Sequence, residues 1–400
     1  MSQAVLVINS GSSSVKFALI DPQKNLTHLS GMAESLGLSN PKLKWTYAGE
    51  KHQRILAEYA GHQQALTCLV TEILNHPDYP LPSIGCIGHR VVHGGEKFQS
   101  SVLINQAVID QIRECVPLAP LHNPAHLLGI EAAIKAFPAL PNVAVFDTAF
   151  HQTLPEEAYL YALPYALYQE QGVRRYGMHG TSHRFIASAT ARWLNQPIEQ
   201  TNLISCHLGN GASLCAIRNG QSVDTSMGMT PLEGLVMGTR SGDIDPALVF
   251  YLHDQLGYNW DELNQLLTQK SGLLGLTEST SDFRPIEADR HKNPAFERAF
   301  QVCVHRLAKY IAGYASLMDG RLDAICFTGG IGENAAALRL AVCQRLSLLQ
   351  IFPDPDRNLE LVGGVSGSFS TSHSRTQLLV LPTDEEGMIA ADAAALALTN

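Results

Sequence analysis

A strand–turn–strand pattern that occurs twice, half a chain apart, limits most severely what this chain can fold into. The first copy, residues 5–20, reads VLVINSGSSSVKFALI, and the second, residues 203–220, reads LISCHLGNGASLCAIRNG. Each is an apolar run, a turn of Gly, Ser and Asn, then a second apolar run. Such turn residues close a tight hairpin and leave backbone N–H groups exposed. At 400 residues the chain exceeds one ordinary core, so one copy per half predicts two domains of the same build. The crossing is expected within residues 142–164.

The rest of the pattern alternates strands with helices. Further strands are expected at 84–88, 143–146, 322–327 and 378–381. Helices are expected at 65–74, 182–194, 334–348 and 386–398. Asn123-Pro124 reads as a cap followed by proline at the first helical position, opening a helix to about residue 137; Asn293-Pro294 repeats the signal and opens a long helix that stops near Gly320. Alternation of this kind predicts an α/β fold with a largely parallel sheet.

Ligands of open α/β sheets bind beyond the carboxyl ends of strands. The residues that follow the apolar runs are Asn9, His89-Arg90, Asp147, His207, Thr328-Gly329-Gly330 and Thr383-Asp384-Glu385. Three Gly- or Ser-rich stretches, 10–16, 207–211 and 328–334, are read as flexible backbones for a nucleotide polyphosphate. The P-loop pattern is absent from the sequence, so the chain is not a P-loop protein. Arg90 and Arg240 both sit among glycines and suit charge stabilisation in phosphoryl transfer. Asp147 and Glu385 offer hard oxygens suited to magnesium, although an acid in a first helical turn also complements the dipole there.

Several classes are disfavoured. A net charge of -9 argues against nucleic acid or an anionic membrane as partner. No run of 18 apolar residues predicts a membrane span, and the first residues carry no secretory signal pattern, so a cytoplasmic protein is expected. Eight cysteines without a C-x-x-C pair read as buried thiols in a reducing compartment. Three histidine pairs, His89/His93, His122/His126 and His179/His183, have the i,i+4 spacing of zinc helices but lack the glutamate, and glycine follows His93 and His179. His122 and His179 are read instead as donors to phosphoryl charge, and His93 and His126 as core or capping groups. Residues 330–335 match G-x-G-x-x-A, but the acids at the right distance, Asp354 and Asp356, lie in a proline-rich stretch. An NAD-dependent oxidoreductase is therefore only a rival reading.

The motifs VLVINSGSSSVKF, GHRVVHGGEKF, APLHNPAH, VAVFDTAFHQT, RRYGMHGTSH, HLGNGAS, DTSMGMTPLEGLVMGTRSGDIDP, TSDFR, FTGGIGEN and PTDEEGMIA run in order along nearly the whole chain. Together they resemble the acetate kinase family. The resemblance implies two duplicated actin-like (ribonuclease H-like) domains, with a nucleotide cleft between them and a homodimer. The first domain would be 1–150 completed by a C-terminal helix at 385–400, and the second, nucleotide-binding, 151–384. The implied reaction is reversible phosphoryl transfer from ATP to acetate by direct in-line attack, with propionate or butyrate as the alternative acceptor. Arg90, Asp147, His179 and Arg240 would be catalytic. Arg90, Val92, Leu121, His122, Met178 and Pro231 would hold the carboxylic acid. Ser12, Ser14, Lys16, His207, Leu208, Gly209, Asn210, Gly211, Asp282, Phe283, Arg284, Gly330, Ile331, Gly332 and Asn334 would bind ATP or ADP. Asn9 and Glu385 would hold Mg2+, or Mn2+ in its place. Two positions depart from the family pattern: Met178 where some members have phenylalanine, and Asp384 where asparagine is usual.

Overall fold

The computed structural model describes residues 3–120 and 122–398. The chain divides into two compact units, Met1–Phe150 with Asp384–Asn400, and His151–Thr383.

The first unit carries β1 (Ala4–Gly11), β2 (Ser14–Asp21), β3 (Leu26–Glu34), β4 (Lys42–Tyr47), β5 (Glu50–Ile55), β6 (Ile84–Val91), β7 (Val102–Leu103) and β8 (Asn142–Phe146). They form one sheet in the order β5-β4-β3-β2-β1-β6-β8-β7. The second unit carries β9 (Leu203–Leu208), β10 (Ala212–Arg218), β11 (Gln221–Thr225), β12 (Ala324–Thr328), β13 (Gly367–Ser368) and β14 (Gln377–Val380), ordered β11-β10-β9-β12-β14-β13. The same five-strand core lies in both, β3-β2-β1-β6-β8 and β11-β10-β9-β12-β14. The first three strands of each are antiparallel and the last two run parallel to the middle strand. The repeat read from two hairpins therefore extends to whole sheets.

Burial explains the apolar runs. β1 is covered on both faces, so its side chains need not alternate with polar ones. Leu6 and Ile8 join Ala132 and Ala133 of the helix Asn123–Ala136 on one face. Val5 and Val7 join Ile389, Ala390 and Ala393 of the helix Glu385–Ala397 on the other.

Several expectations need correction. β3 and β5 are not expected from the sequence because LTHLSGMAE and EKHQRI carry polar residues on both faces; β4, KLKWTY, does alternate and is absent from the expectation nonetheless. Asn123 does not cap its helix. His122 holds the cap position, while Asn123 is fully buried, accepts from the His93 amide at 3.2 Å and donates to the His93 carbonyl at 2.9 Å. The expected helix at 334–348 is broken at Ala335, whose φ of −87° and ψ of 77° separate the helices Gly329–Asn334 and Ala336–Gln344. The stretch read as a third flexible loop is thus largely helical. Asn293 does cap its helix, but that helix, Pro294–Ala315, ends before Gly320. The helix at 65–74 is His62–Cys68 followed by a π-turn segment, Leu69–Leu74. Asp354, one of the acids at the right distance from the G-x-G-x-x-A match, instead caps the helix Pro355–Glu360.

Candidate functional site

In the first unit the site residues collect around the ends of β1, β6 and β8. β6 runs three residues past its expected end, so His89 and Arg90 lie within the strand. Arg90 Nε lies 3.1 and 3.2 Å from the two Asp147 carboxylate oxygens, and its Nη2 donates to Oδ2 at 2.7 Å. Asp147 is 1% exposed, so this two-pronged pair is what makes its burial tolerable. Burial alone would lower the Arg90 guanidinium, but the carboxylates of Asp147 and Glu385 more than offset it and raise it. His89 donates from Nε2 to the Asn142 amide oxygen at 2.8 Å, and burial pushes its imidazole down to about 4. Burial, with Arg90, His122 and His89 nearby, lowers His126 to about 3.

On the adjoining hairpin, β2 sets Lys16 opposite Asn9, and Ser12-Ser13 forms the turn between Gly11 and Ser14. His62 Nε2 contacts the Gly11 carbonyl at 2.7 Å. The helix Asn123–Ala136 crosses so closely that a Cβ on Gly129 would overlap Ser10 Oγ. Glu385 is the first residue of its helix, and Asp384 caps it by accepting from the Gly387 amide at 2.8 Å. Burial raises the neighbouring Glu386 carboxyl, with Lys16 opposing and Asp384 and Glu385 adding to the rise. Val92 is buried and His122 half-buried. Leu121 lies outside the described residues.

In the second unit the candidate residues are mainly histidines and hydroxyls. His179 caps the helix Gly180–Leu194 in a left-handed conformation, φ 59°, which residues other than glycine enter rarely. Its Nδ1 lies 2.9 Å from Ser213 Oγ, and its ring stacks on His207 with centroids 4.3 Å apart. His207 Nδ1 meets Ser182 Oγ at 2.8 Å, and Ser182 meets Thr383 Oγ1 at 2.9 Å. A Cβ on Gly211 would lie 3.5 Å from Arg240 Nη1 and 3.6 Å from the His179 ring, so both groups converge on that loop. Arg240 donates to the Pro231 carbonyl at 3.0 Å, and burial lowers its guanidinium. Met178 is buried, and His151 Nε2 lies 3.0 Å from its carbonyl.

Of the expected nucleotide residues, Leu208, Gly209, Phe283 and Ile331 line one small pocket. Asp282 caps the helix that Phe283 opens and pairs with the exposed Arg284. Asn334 donates to the Gly330 carbonyl at 2.8 Å and accepts from the Gly363 amide at 2.9 Å. Gly332 is buried, and its carbonyl accepts from Arg339 at 2.9 Å. Asn210 is exposed at the loop tip, and its carbonyl accepts from the Gly238 amide at 2.9 Å.

Sequence reasoning missed the groups that brace the Arg240 loop. Arg175 donates to the carbonyls of Thr225 at 3.0 Å and Met227 at 3.2 Å, and to Glu233 at 2.6 Å. Tyr161 donates to the same Glu233 at 2.7 Å. Tyr310 and the Gly234 amide both donate to Asp243. The signal available was Arg174-Arg175 beside MHG, with Glu233 and Asp243 flanking Arg240 in sequence. Among the described residues, no cluster of three or more His, Cys, Asp or Glu is arranged to hold a metal, and no helix is long and apolar enough to cross a membrane.

Comparison with known proteins places the chain in a family. The Acetokinase family model matches residues 4–391. The acetate kinase 1 of Vibrio vulnificus is 57% identical over 397 residues, covering 99% of this chain and all of its own. The acetate kinase of Photorhabdus laumondii is 58% identical, covering 99% of each chain. Among solved structures, the Porphyromonas gingivalis acetate kinase aligns with a TM-score of 0.92 at 42% identity, over 98% of this chain and 99% of that one. A Francisella tularensis propionate kinase aligns with a TM-score of 0.92 at 41% identity, over 98% of this chain and all of that one. With this match along nearly its whole length, on a fold of two like-ordered sheets, the chain belongs to the acetokinase family.

Proposed function

We propose that the chain catalyses reversible, Mg2+-dependent phosphoryl transfer between ATP and acetate, giving ADP and acetyl phosphate by direct in-line attack. The observation that carries this reading is Arg90, oriented by a buried carboxylate at the end of a central strand. A carboxylate acceptor is already anionic near neutral pH, so it needs no general base, and catalysis reduces to positioning and charge stabilisation. Asp147 engages Arg90 through Nε and Nη2, which turns Nη1 toward a substrate oxygen. Arg240 and His179 donate to the migrating phosphoryl group. Val92, His122, Met178 and Pro231 surround the acyl chain, with Leu121 assigned there by family resemblance alone. Ser12, Ser14, Lys16 and the loop 207–211 face the phosphates, while Asp282–Arg284 and residues 330–334 hold the adenosine.

Asn9 and Glu385 would hold the magnesium. Their donors are all oxygen, and three consecutive acids stand at 384–386, opposed by Lys16 beside Glu386 and by Arg90 beside Glu385. A dication suits that surplus, and magnesium is usually held by one or two carboxylates plus phosphate rather than by a protein cage. When bound, it neutralises charge on the nucleotide phosphates. We also assign the protein to the cytoplasm as a homodimer of two actin-like domains per chain; mass measured in solution tests the oligomer.

The reaction is tested by a hydroxylamine trap with Mg-ATP and acetate, propionate or butyrate in parallel. Acetate-dependent hydroxamate supports the reading. A larger propionate or butyrate signal keeps the mechanism and moves the acceptor, a change the flexible Met178 side chain permits. One methylene is worth about 1–3 kcal/mol in such a pocket. Mg-ATP binding without product from any acid refutes the reading in favour of a nucleotide-binding module.

A further inference from the structure

Behind His179 lies a chain of hydrogen bonds that the reaction itself does not require. Ser213 Oγ is 2.9 Å from His179 Nδ1 and also 2.9 Å from His183 Nε2. His183 Nδ1 is in turn 2.9 Å from Ser205 Oγ. Ser205, Ser213 and His183 are all fully buried. The order is serine, histidine, serine, histidine, running from the middle of β9 to the helix cap.

Such a chain can be polarised in two directions, and the donor count decides between them. Ser205 has His183 as its only side-chain partner among the described residues. Its hydroxyl hydrogen therefore finds an acceptor only by pointing at His183 Nδ1. His183 must then carry its hydrogen on Nε2 and donate to Ser213. Ser213 must donate to His179 Nδ1, which leaves His179 with its hydrogen on Nε2. The opposite direction strands the Ser205 hydrogen in a buried, apolar strand, at the cost of an unmade hydrogen bond. Burial, with His151 and His207 nearby, holds His183 well below the usual histidine range, so it stays neutral and relays a single hydrogen.

We propose that Ser205, His183 and Ser213 form a one-way hydrogen-bond wire that holds His179 neutral with its hydrogen on Nε2. They are positioning residues, and their role rests on the reading above that His179 donates to the phosphoryl group. Protonating His179 at Nδ1 would turn the Ser213 hydrogen away from its acceptor, and recovering that bond would need His183 and Ser205 both to reverse. The wire thus resists imidazolium formation and keeps an uncharged donor, with fixed ring orientation, as the medium turns acid. Among the described residues of the unit, His207 stacks on His179 and Arg240 lies across Gly211 from it, while His151 packs edge-on against His183. Both His207 and Arg240 act in the same direction when charged. The wire's own share is isolated by changing Ser205, which touches none of these charges.

The test is two-bond 1H–15N spectroscopy of the full-length chain labelled in histidine, with the His179 signals assigned by their loss in His179→Gln. At about pH 8.5, wild type should show hydrogen on Nε2 and a bare Nδ1. On acid titration, His179 in Ser205→Ala should protonate about one pH unit earlier than in wild type, the scale of one buried unmade hydrogen bond. Ser205→Thr, which restores the hydroxyl, should return it. Hydrogen on Nδ1 in wild type overturns the proposal, as does an identical titration in wild type and Ser205→Ala. The wild-type spectrum decides even if Ser205→Ala fails to fold. The functional reading fails separately: hydroxamate formation by His179→Gln at the wild-type rate would remove the donor role while leaving the wire intact.

Discussion

The two units use the same strand positions for opposite kinds of chemistry. β6 sets His89 beside Ile8 of β1, and β12 sets Phe327 beside Cys206 of β9. Counting from these, Asn9 answers to His207 and Arg90 to Thr328. Across the hairpins, Lys16 lies opposite Asn9 and Ser213 lies opposite His207. The helix caps correspond as well, Asp384 in one unit and His179 in the other. The first unit therefore places full charges, Arg90, Lys16, Asp147 and the acids at 384–386, where the second places imidazoles and hydroxyls. The same strand positions thus carry charges in the first unit and neutral groups in the second, whose Arg240 lies outside the matched positions, so the two units should fail differently when perturbed.

The largest difference should appear at the corresponding pair Arg90 and Thr328. Arg90→Ala should lower turnover on the order of 1,000-fold, the scale of a lost charge-stabilising donor. It should also lower the melting temperature, because removing one partner of a buried pair costs about 3–5 kcal/mol. Thr328→Ala removes one hydroxyl whose partner, Glu333, lies at 3.4 Å, and should stay within about tenfold of wild type. Equal losses in the two variants would break the comparison. Steady-state kinetics and thermal melts of both decide it.

Acid is the next probe. His89 titrates at about 4 when folded, against about 6.5 in the unfolded chain. Between those values the unfolded state binds more protons, so stability rises with pH. The contribution is full above about pH 6.5 and is lost as pH falls through about 4, about 3 kcal/mol in all. His126 and His183, also lowered by burial, act in the same direction. Melting temperatures of wild type and His89→Gln from pH 7 to pH 4 should differ in slope, the variant being flatter. Parallel slopes would remove His89 from the account.

Glycines separate the units on a smaller scale. Gly129→Ala drives a methyl into Ser10 under the first hairpin, whereas Gly211→Ala in the second finds its neighbours at 3.5–3.6 Å. The first should cost about 1–3 kcal/mol of stability. The second should fold normally and change only KM for nucleotide. A stable Gly129→Ala protein would show that the first hairpin is as adaptable as the second.

What the sequence made legible was whatever depends on local pattern. Buried strands announce themselves as apolar runs, and all eight expected strands are present, several longer at their polar ends. That extension matters: Asn9 and Arg90 lie within strands, where register fixes their neighbours, and not in loops after them. What stayed hidden depends on partners distant in sequence. Asn123 precedes proline as a cap would, yet its side chain is spent on the His93 backbone, 30 residues away. β5 exposes most of its residues and is held by pairing with β4, so no apolar rhythm marks it. Ser205 and Ser213 look like small residues in apolar runs until the helix bearing His183 is laid beside them.

The finest test of the comparison is Asp384, the charged counterpart of the His179 cap. Its carboxylate accepts from the Gly387 amide at 2.8 Å. An asparagine can make that bond with its side-chain oxygen, and the two residue types rank alike as caps. Asp384→Asn should therefore change stability by no more than about 0.5 kcal/mol. It nonetheless removes one of three consecutive acids, and the like-charge repulsion that helps raise Glu386 falls with it. If the charged half-site is built to receive a dication, the variant should need more Mg2+ for half-maximal activity, by a fewfold, with turnover at saturating metal unchanged. Magnesium titrations of wild type and variant at fixed ATP read this directly. A shift in stability without a shift in metal requirement would mean that the acids at 384–386 serve the helix alone, and that the contrast between the units rests on Arg90, Asp147 and Lys16.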